Sequence, residues 1–177
     1  MKQNIAVVGA GISGLCTGLA LAAKGNTVTI YERDIEPPEG GADQAFFEWN
    51  RRGAAQFRHP HAFLGVMCNL LEKNYPDLIE QFWEAGARKM SFRDMLPPEL
   101  LLQYEPEPTD EDMWMLMCRR ATMETVLRRY VESKHNVTIN NTSNVVGMTT
   151  SGTSEDITLT GLEVQVDRGD IEQVSHD

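Results

Sequence analysis

Three glycines, Gly9, Gly11 and Gly14, stand between a short apolar run at residues 5–8 and a helix-forming stretch that begins at Ile12. This arrangement, more than any other feature, limits what the chain can fold into. Residues 5–8 form the kind of continuously apolar, β-rich run that lies buried in a parallel sheet. Gly9 permits a tight turn out of that strand, Gly11 removes the side chain that would hold a pyrophosphate off the backbone, and Gly14 lets the next helix pack closely on the strand. The helix reads over residues 12–24 and stops at Gly25 and Asn26. A β-branched strand follows at residues 27–31, and Glu32 closes it about 20 residues past the glycines, where a carboxylate can accept the hydroxyls of an adenosine ribose.

A secretory leader is the competing reading, because residues 5–23 are largely apolar after Lys2. Ordered glycines followed directly by a second strand are a grammar that a leader does not need. Residues 4–33 therefore read as a βαβ unit that binds a dinucleotide, with Gly9, Gly11 and Gly14 around the phosphates.

The 177 residues carry a net charge of −10, which argues against nucleic acid or an anionic membrane as the main partner, since phosphate backbones are met by clustered Lys and Arg. Cys16, Cys68 and Cys118 are odd in number and widely spaced, suggesting reduced thiols, a cytoplasmic setting and no structural metal. His59 and His61 flank Pro60 but lack a third ligand at a recognised spacing.

Beyond the first unit, residues 42–60 read as a long loop with little periodicity. Residues 61–74 and 76–85 read as helices, the first with Leu64, Met67, Leu70 and Leu71 on one apolar face and the second with Leu78, Ile79, Phe82 and Trp83. Short strands are expected at residues 88–92 and 113–118, separated by a solvated acidic loop at 106–112. A helix over 121–133, a strand at 137–140 and a meander through 143–175 complete the chain. The expected fold class is α/β: a three-layer dinucleotide-binding domain whose parallel sheet includes residues 5–8, 28–31 and 137–139.

The opening unit, "RRATMETVLRR" at residues 119–129 and "NVTINNTSNVVGM" at 136–148 resemble, in this order, FAD-dependent oxidoreductases of the aromatic hydroxylase and flavin monooxygenase type. Residues 53–86 look like the corresponding segment of hydroxylase-like and halogenase-like members. The resemblance covers the N-terminal part of that family. It implies a Rossmann-like FAD-binding fold, FAD as cofactor with NAD(P)H as a candidate electron donor, and monooxygenase chemistry. It places Gly9, Gly11 and Gly14 around the pyrophosphate with the backbone at Ala10, Ile12 and Ser13 lining the same turn, Glu32 at the adenosine ribose with Arg33 beside it, Arg120 aimed at the cofactor from its helix, and the backbone of Val145 at the adenine. Gln56, Arg58, His59 and His61 have two readings, as residues that approach the flavin from the loop or as plain loop residues.

Arg120 has an alternative reading as one cation of an exposed cluster with Arg119, Arg128 and Arg129. The family's second glycine-containing motif and substrate domain have no match here, and Gly169–Asp170 reads as a meander turn. The expectation is thus an apparently truncated FAD-binding portion, completed by a complementary C-terminal fragment or self-association. No catalytic residue or substrate is assigned. The alternatives are a non-catalytic dinucleotide-binding module and an NAD-dependent oxidoreductase, which Glu32 suits equally.

Overall fold

The structure, a computed structural model, describes residues 1–176. In chain order the elements are β1 (Asn4–Val8), α1 (Ile12–Ala23), β2 (Thr27–Tyr31), α2 (Gly41–Glu48), β3 (Pro60–Phe63), α3 (Gly65–Asn74), α4 (Pro76–Glu84), β4 (Arg88–Met90), α5 (Pro98–Leu101), β5 (Met115–Arg119), α6 (Arg120–Glu132), β6 (Val137–Asn140), β7 (Ser143–Thr153), β8 (Asp156–Val166) and β9 (Ile171–Val174). Two compact units share them. The first takes Met1–Pro38, Glu48–Ala55 and the chain from Leu127 onward; the second takes Glu39–Phe47 and Gln56–Val126.

The first unit has the expected three layers. Its central sheet is parallel, in the order β1-β2-β6, with Ile5 opposite Val28 and Val28 opposite Val137. Strand alternation sends Val28 and Ile30 to one face, where both are fully buried and Gly18 of α1 packs on the Ile30 side chain. Each such burial contributes about 2 kcal/mol. Tyr31 points the other way, into a cluster with Leu162 and Val164 against which Val145 and Ala6 pack. That layer is the antiparallel meander β7-β8-β9.

The second unit is built on an antiparallel sheet, β3-β5-β4, with α3 and α4 alongside. Three sequence expectations are corrected here. The supposed loop at 42–60 contains α2, a two-turn helix whose only fully buried residue is Ala45, too short to show a period. The helix expected from His61 begins at Gly65, because residues 60–63 pair with β5 instead, Phe63 lying opposite Leu116. The apolar face drawn through Leu64 and Leu70 is also wrong: both are more than half exposed, and α3 buries Cys68 and Leu71. The acidic stretch at 106–112 carries a 3-10 turn over Pro108–Asp112.

Candidate nucleotide-binding site

Gly9 leaves β1 at φ +91°, a backbone conformation that side chains disfavour, and its N–H donates to Tyr31 O at 2.8 Å. A Cβ on Gly14 would stand 1.9 Å from Gly9 O, so only glycine lets α1 start this close to the strand it follows. A Cβ on Gly11 would meet nothing within 4 Å; the space above the loop is open. Gly11 caps α1 without a side-chain hydrogen bond. The first amides of α1, at Ile12, Ser13 and Gly14, thus face that space at the positive end of the helix dipole, an arrangement suited to an anion.

Glu32, at the end of β2, is only 4 % exposed. Its Oε2 accepts the Ala10 N–H at 2.7 Å and its Oε1 accepts the Asp34 N–H at 2.9 Å. The carboxylate is therefore fastened to the glycine loop, with acceptor capacity remaining on Oε1. It also pairs with a residue that the sequence did not single out. Arg51, buried in the segment after α2, places Nη1 3.1 Å from Glu32 Oε2 and 3.2 Å from Asp34 Oδ2, while Nη2 donates to Ala10 O at 3.3 Å. Arg52 completes the network, its Nε 2.9 Å from Asp34 Oδ1. The buried carboxylates of Glu32 and Asp34 are thus met by one buried guanidinium and by a second that is more than half exposed. The adjacent Arg51 and Arg52 were the available signal, but their partners lie on another element and no periodicity connects them.

Arg33 is exposed and lines a cleft of about 670 Å³ with Arg52, Asn144, Gln165, Asp167 and Arg168. Thr142, Asp167 and Arg168, all on this cleft, have positive φ of 52°, 50° and 62° without being glycine. Backbone bonds hold them there: Thr142 N–H donates to Asp34 O and Asp167 N–H to Thr142 O. Asp167 and Arg168 are the central residues of the turn from β8 to β9, closed by the Gly169 N–H donating to Val166 O at 2.7 Å, where positive φ at both positions is ordinary hairpin geometry. Val145 lies in β7 opposite Val164, directly before an irregularity in the β7–β8 register.

Arg120 lies in the second unit. It opens α6, with Nε 2.6 Å from the fully buried Glu124 and Nη1 3.1 Å from His61 Nε2. Burial first, then the Arg120 charge, holds the His61 imidazole below its ordinary pKa, which suits its role as acceptor from the guanidinium. The alternative of an exposed arginine cluster fails for Arg128, which is fully buried with Nε on Glu132. Arg58 binds the carbonyls of Phe46 and Phe47, and His59 is exposed. Among the described residues no group of three or more His, Cys, Asp and Glu gathers as metal donors, and no helix is long and apolar enough to cross a membrane.

Residues 4–136 match the family model described as FAD dependent oxidoreductase. The chain belongs to the FAD-dependent oxidoreductase family. Its sequence is 33% identical over 92 residues to Protein Rv3254 of Mycobacterium tuberculosis, covering 52% of this chain and 18% of that protein. It is 38% identical over 70 residues to the NAD-dependent dihydropyrimidine dehydrogenase subunit PreT of Escherichia coli, covering 40% of this chain and 15% of that one. The chain thus spans less than a fifth of either curated relative. Among solved structures, the flavin-dependent halogenase CmlS superposes with a TM-score of 0.63 at 19% identity, over 100% of this chain and 28% of that chain. PqsL, a probable FAD-dependent monooxygenase from Pseudomonas aeruginosa, gives 0.61 at 10% identity over 97% and 40%, and THI4 of Thermovibrio ammonificans gives 0.59 at 16% over 98% and 54%. These likenesses show the fold. The family's cofactor fits the residues present: an open glycine loop under uncapped helix amides, and a carboxylate fixed beside it.

Proposed function

We propose that these residues grip the adenosine and pyrophosphate half of FAD in a monooxygenase-like oxidoreductase, with the flavin-ring pocket and substrate site provided by other parts of the protein. The observation that carries the reading is the Gly9–Gly14 loop, closed against β1 on one side and open above Gly11 on the other. The amides of Ile12, Ser13 and Gly14 bind the pyrophosphate, and Ala10 and Gly11 keep the backbone close to it. Glu32 accepts a ribose hydroxyl on Oε1. The cleft beside Arg33, whose rim includes Asn144 next to Val145, receives the adenine. Arg120, held by Glu124 and His61, is the second unit's candidate for the cofactor.

Bound FAD would supply the redox chemistry, with NAD(P)H as electron donor; the protein's part is to bind and orient it. The monooxygenase part of the reading is taken over from proteins of the same fold, a flavin-dependent halogenase and a probable FAD-dependent monooxygenase. One observation favours a second reading, an NAD-binding oxidoreductase: the Escherichia coli relative is named as NAD-dependent, and a ribose-facing carboxylate suits NAD equally well. Because Glu32 stands where a 2′-phosphate would sit, unmodified dinucleotides should bind better than 2′-phosphorylated ones. Calorimetry with FAD, NAD and NADP tests the order. FAD tightest is the expected result, NAD tightest favours the second reading, and NADP tightest sinks both.

A further inference from the structure

We propose that Arg51 is the positioning residue of the adenosine end: its guanidinium fixes Glu32 and the Ala10 peptide together, so that one carboxylate oxygen is preset for a ribose hydroxyl. The identity of the ligand rests on the reading above; the positioning rests on geometry alone.

Without Arg51, Glu32 and Asp34 would be two buried carboxylates meeting at one turn, with only Arg52 to offset them. Arg51 joins Glu32 Oε2 and Asp34 Oδ2 through a single nitrogen and reaches Ala10 O with the other, so both backbone polar groups of residue Ala10 are held, its N–H by Glu32 and its carbonyl by Arg51. Ala10 itself is fully buried between two of the loop's glycines. The planar fork can span these acceptors at fixed angles, which the point charge of a lysine cannot do. Arg51 is in turn set by the buried Trp49, whose ring it covers at 4.9 Å and whose indole N–H is fixed to Ile35 O at 2.9 Å. The consequence falls on Oε2 of Glu32, which already has two partners. A ribose hydroxyl is left Oε1, the oxygen that among the described residues otherwise accepts just the Asp34 N–H.

The test uses the full chain with Arg51→Lys, Glu32→Gln and their combination, reading hydrogen exchange at the Ala10 amide and binding of FAD and ADP. In Arg51→Lys the Ala10 amide should exchange at least about tenfold faster, with β2 amides unchanged, and both ligands should bind about tenfold more weakly. In the Glu32→Gln background the same change should do much less. A purely structural arginine would lower the melting temperature and leave the Ala10 exchange and the ligand affinity of the folded protein alone, which would overturn the proposal, as would equal effects with and without Glu32. Arg51→Met removes the charge outright and can fail to fold. Its combination with Glu32→Gln should then recover stability, and an equally unstable double variant would also count against the proposal. If the wild-type chain binds neither FAD nor ADP, the functional reading falls, while Ala10 exchange still decides the role of Arg51.

Discussion

Gly11 and Gly14 belong to one loop but meet opposite surroundings, and this separates binding from folding at the scale of single residues. A methyl on Gly14 collides with the carbonyl of Gly9, a backbone atom that cannot swing away. Gly14→Ala should therefore shift α1 off β1 and cost about 1–3 kcal/mol along with dinucleotide binding. Gly11→Ala adds its methyl to open space, so the protein should melt within a degree or two of the wild type while the methyl occupies room that the pyrophosphate needs. Thermal melts paired with FAD titrations distinguish the two variants. If Gly11→Ala bound FAD normally, the phosphate would not lie over this loop.

Strand pairing brings the His61 and Arg120 neighbourhoods together at the scale of elements. β3 lies antiparallel to β5, with His61 opposite Cys118, and α6 begins directly after β5 with the Arg120 N–H donating to His59 O. The imidazole thus arrives at the guanidinium through backbone geometry, and the buried Glu124 holds the other side of Arg120. Because burial and the Arg120 charge lower the His61 pKa, the unfolded chain binds the proton more readily than the folded one. The stability that comes from keeping this histidine neutral is present above its ordinary pKa of about 6.5 and is lost as pH falls through 6.5 toward the lower folded value. Between pH 7 and pH 5 the melting temperature of the wild type should fall more than that of His61→Gln, whose amide oxygen can still accept from Arg120 without titrating. Parallel pH profiles for the two proteins would show that His61 does not titrate against Arg120.

For the whole molecule, the open side of the parallel sheet matters most. β1 pairs with β2 on one side and with no strand on the other among the described residues, and Val8 at its end is 60 % exposed. A first strand that forms the edge of its sheet offers unpaired backbone groups to another chain. Residues 1–177 expressed alone should therefore associate as concentration rises, retain FAD weakly and oxidise NAD(P)H no faster than free flavin does. Light scattering, the flavin content after purification and steady-state assays check this. A monodisperse monomer with stoichiometric FAD and turnover would refute the idea that the flavin-ring pocket lies outside these residues.

Much of the first unit could be read directly from the sequence because its determinants are local. The glycine spacing, the apolar strands and the acid at the end of β2 impose their conformations over stretches of a few residues, and strand, helix, strand in that order permits few topologies. The parallel pairing of β6 followed from a helix-then-strand pattern of the same kind. The second unit was less legible: β3 is a strand only because β5, more than 50 residues along the chain, accepts its hydrogen bonds, whereas its own residues suit the start of a helix equally well. Arg51 and Arg128 were hidden for a related reason. Arg51 reads as solvent-facing until the carboxylates of Glu32 and Asp34 reach it, and Arg128 until the Asn141 amide oxygen and the Trp49 ring do; these partners come from distant segments, and only the tertiary structure supplies them.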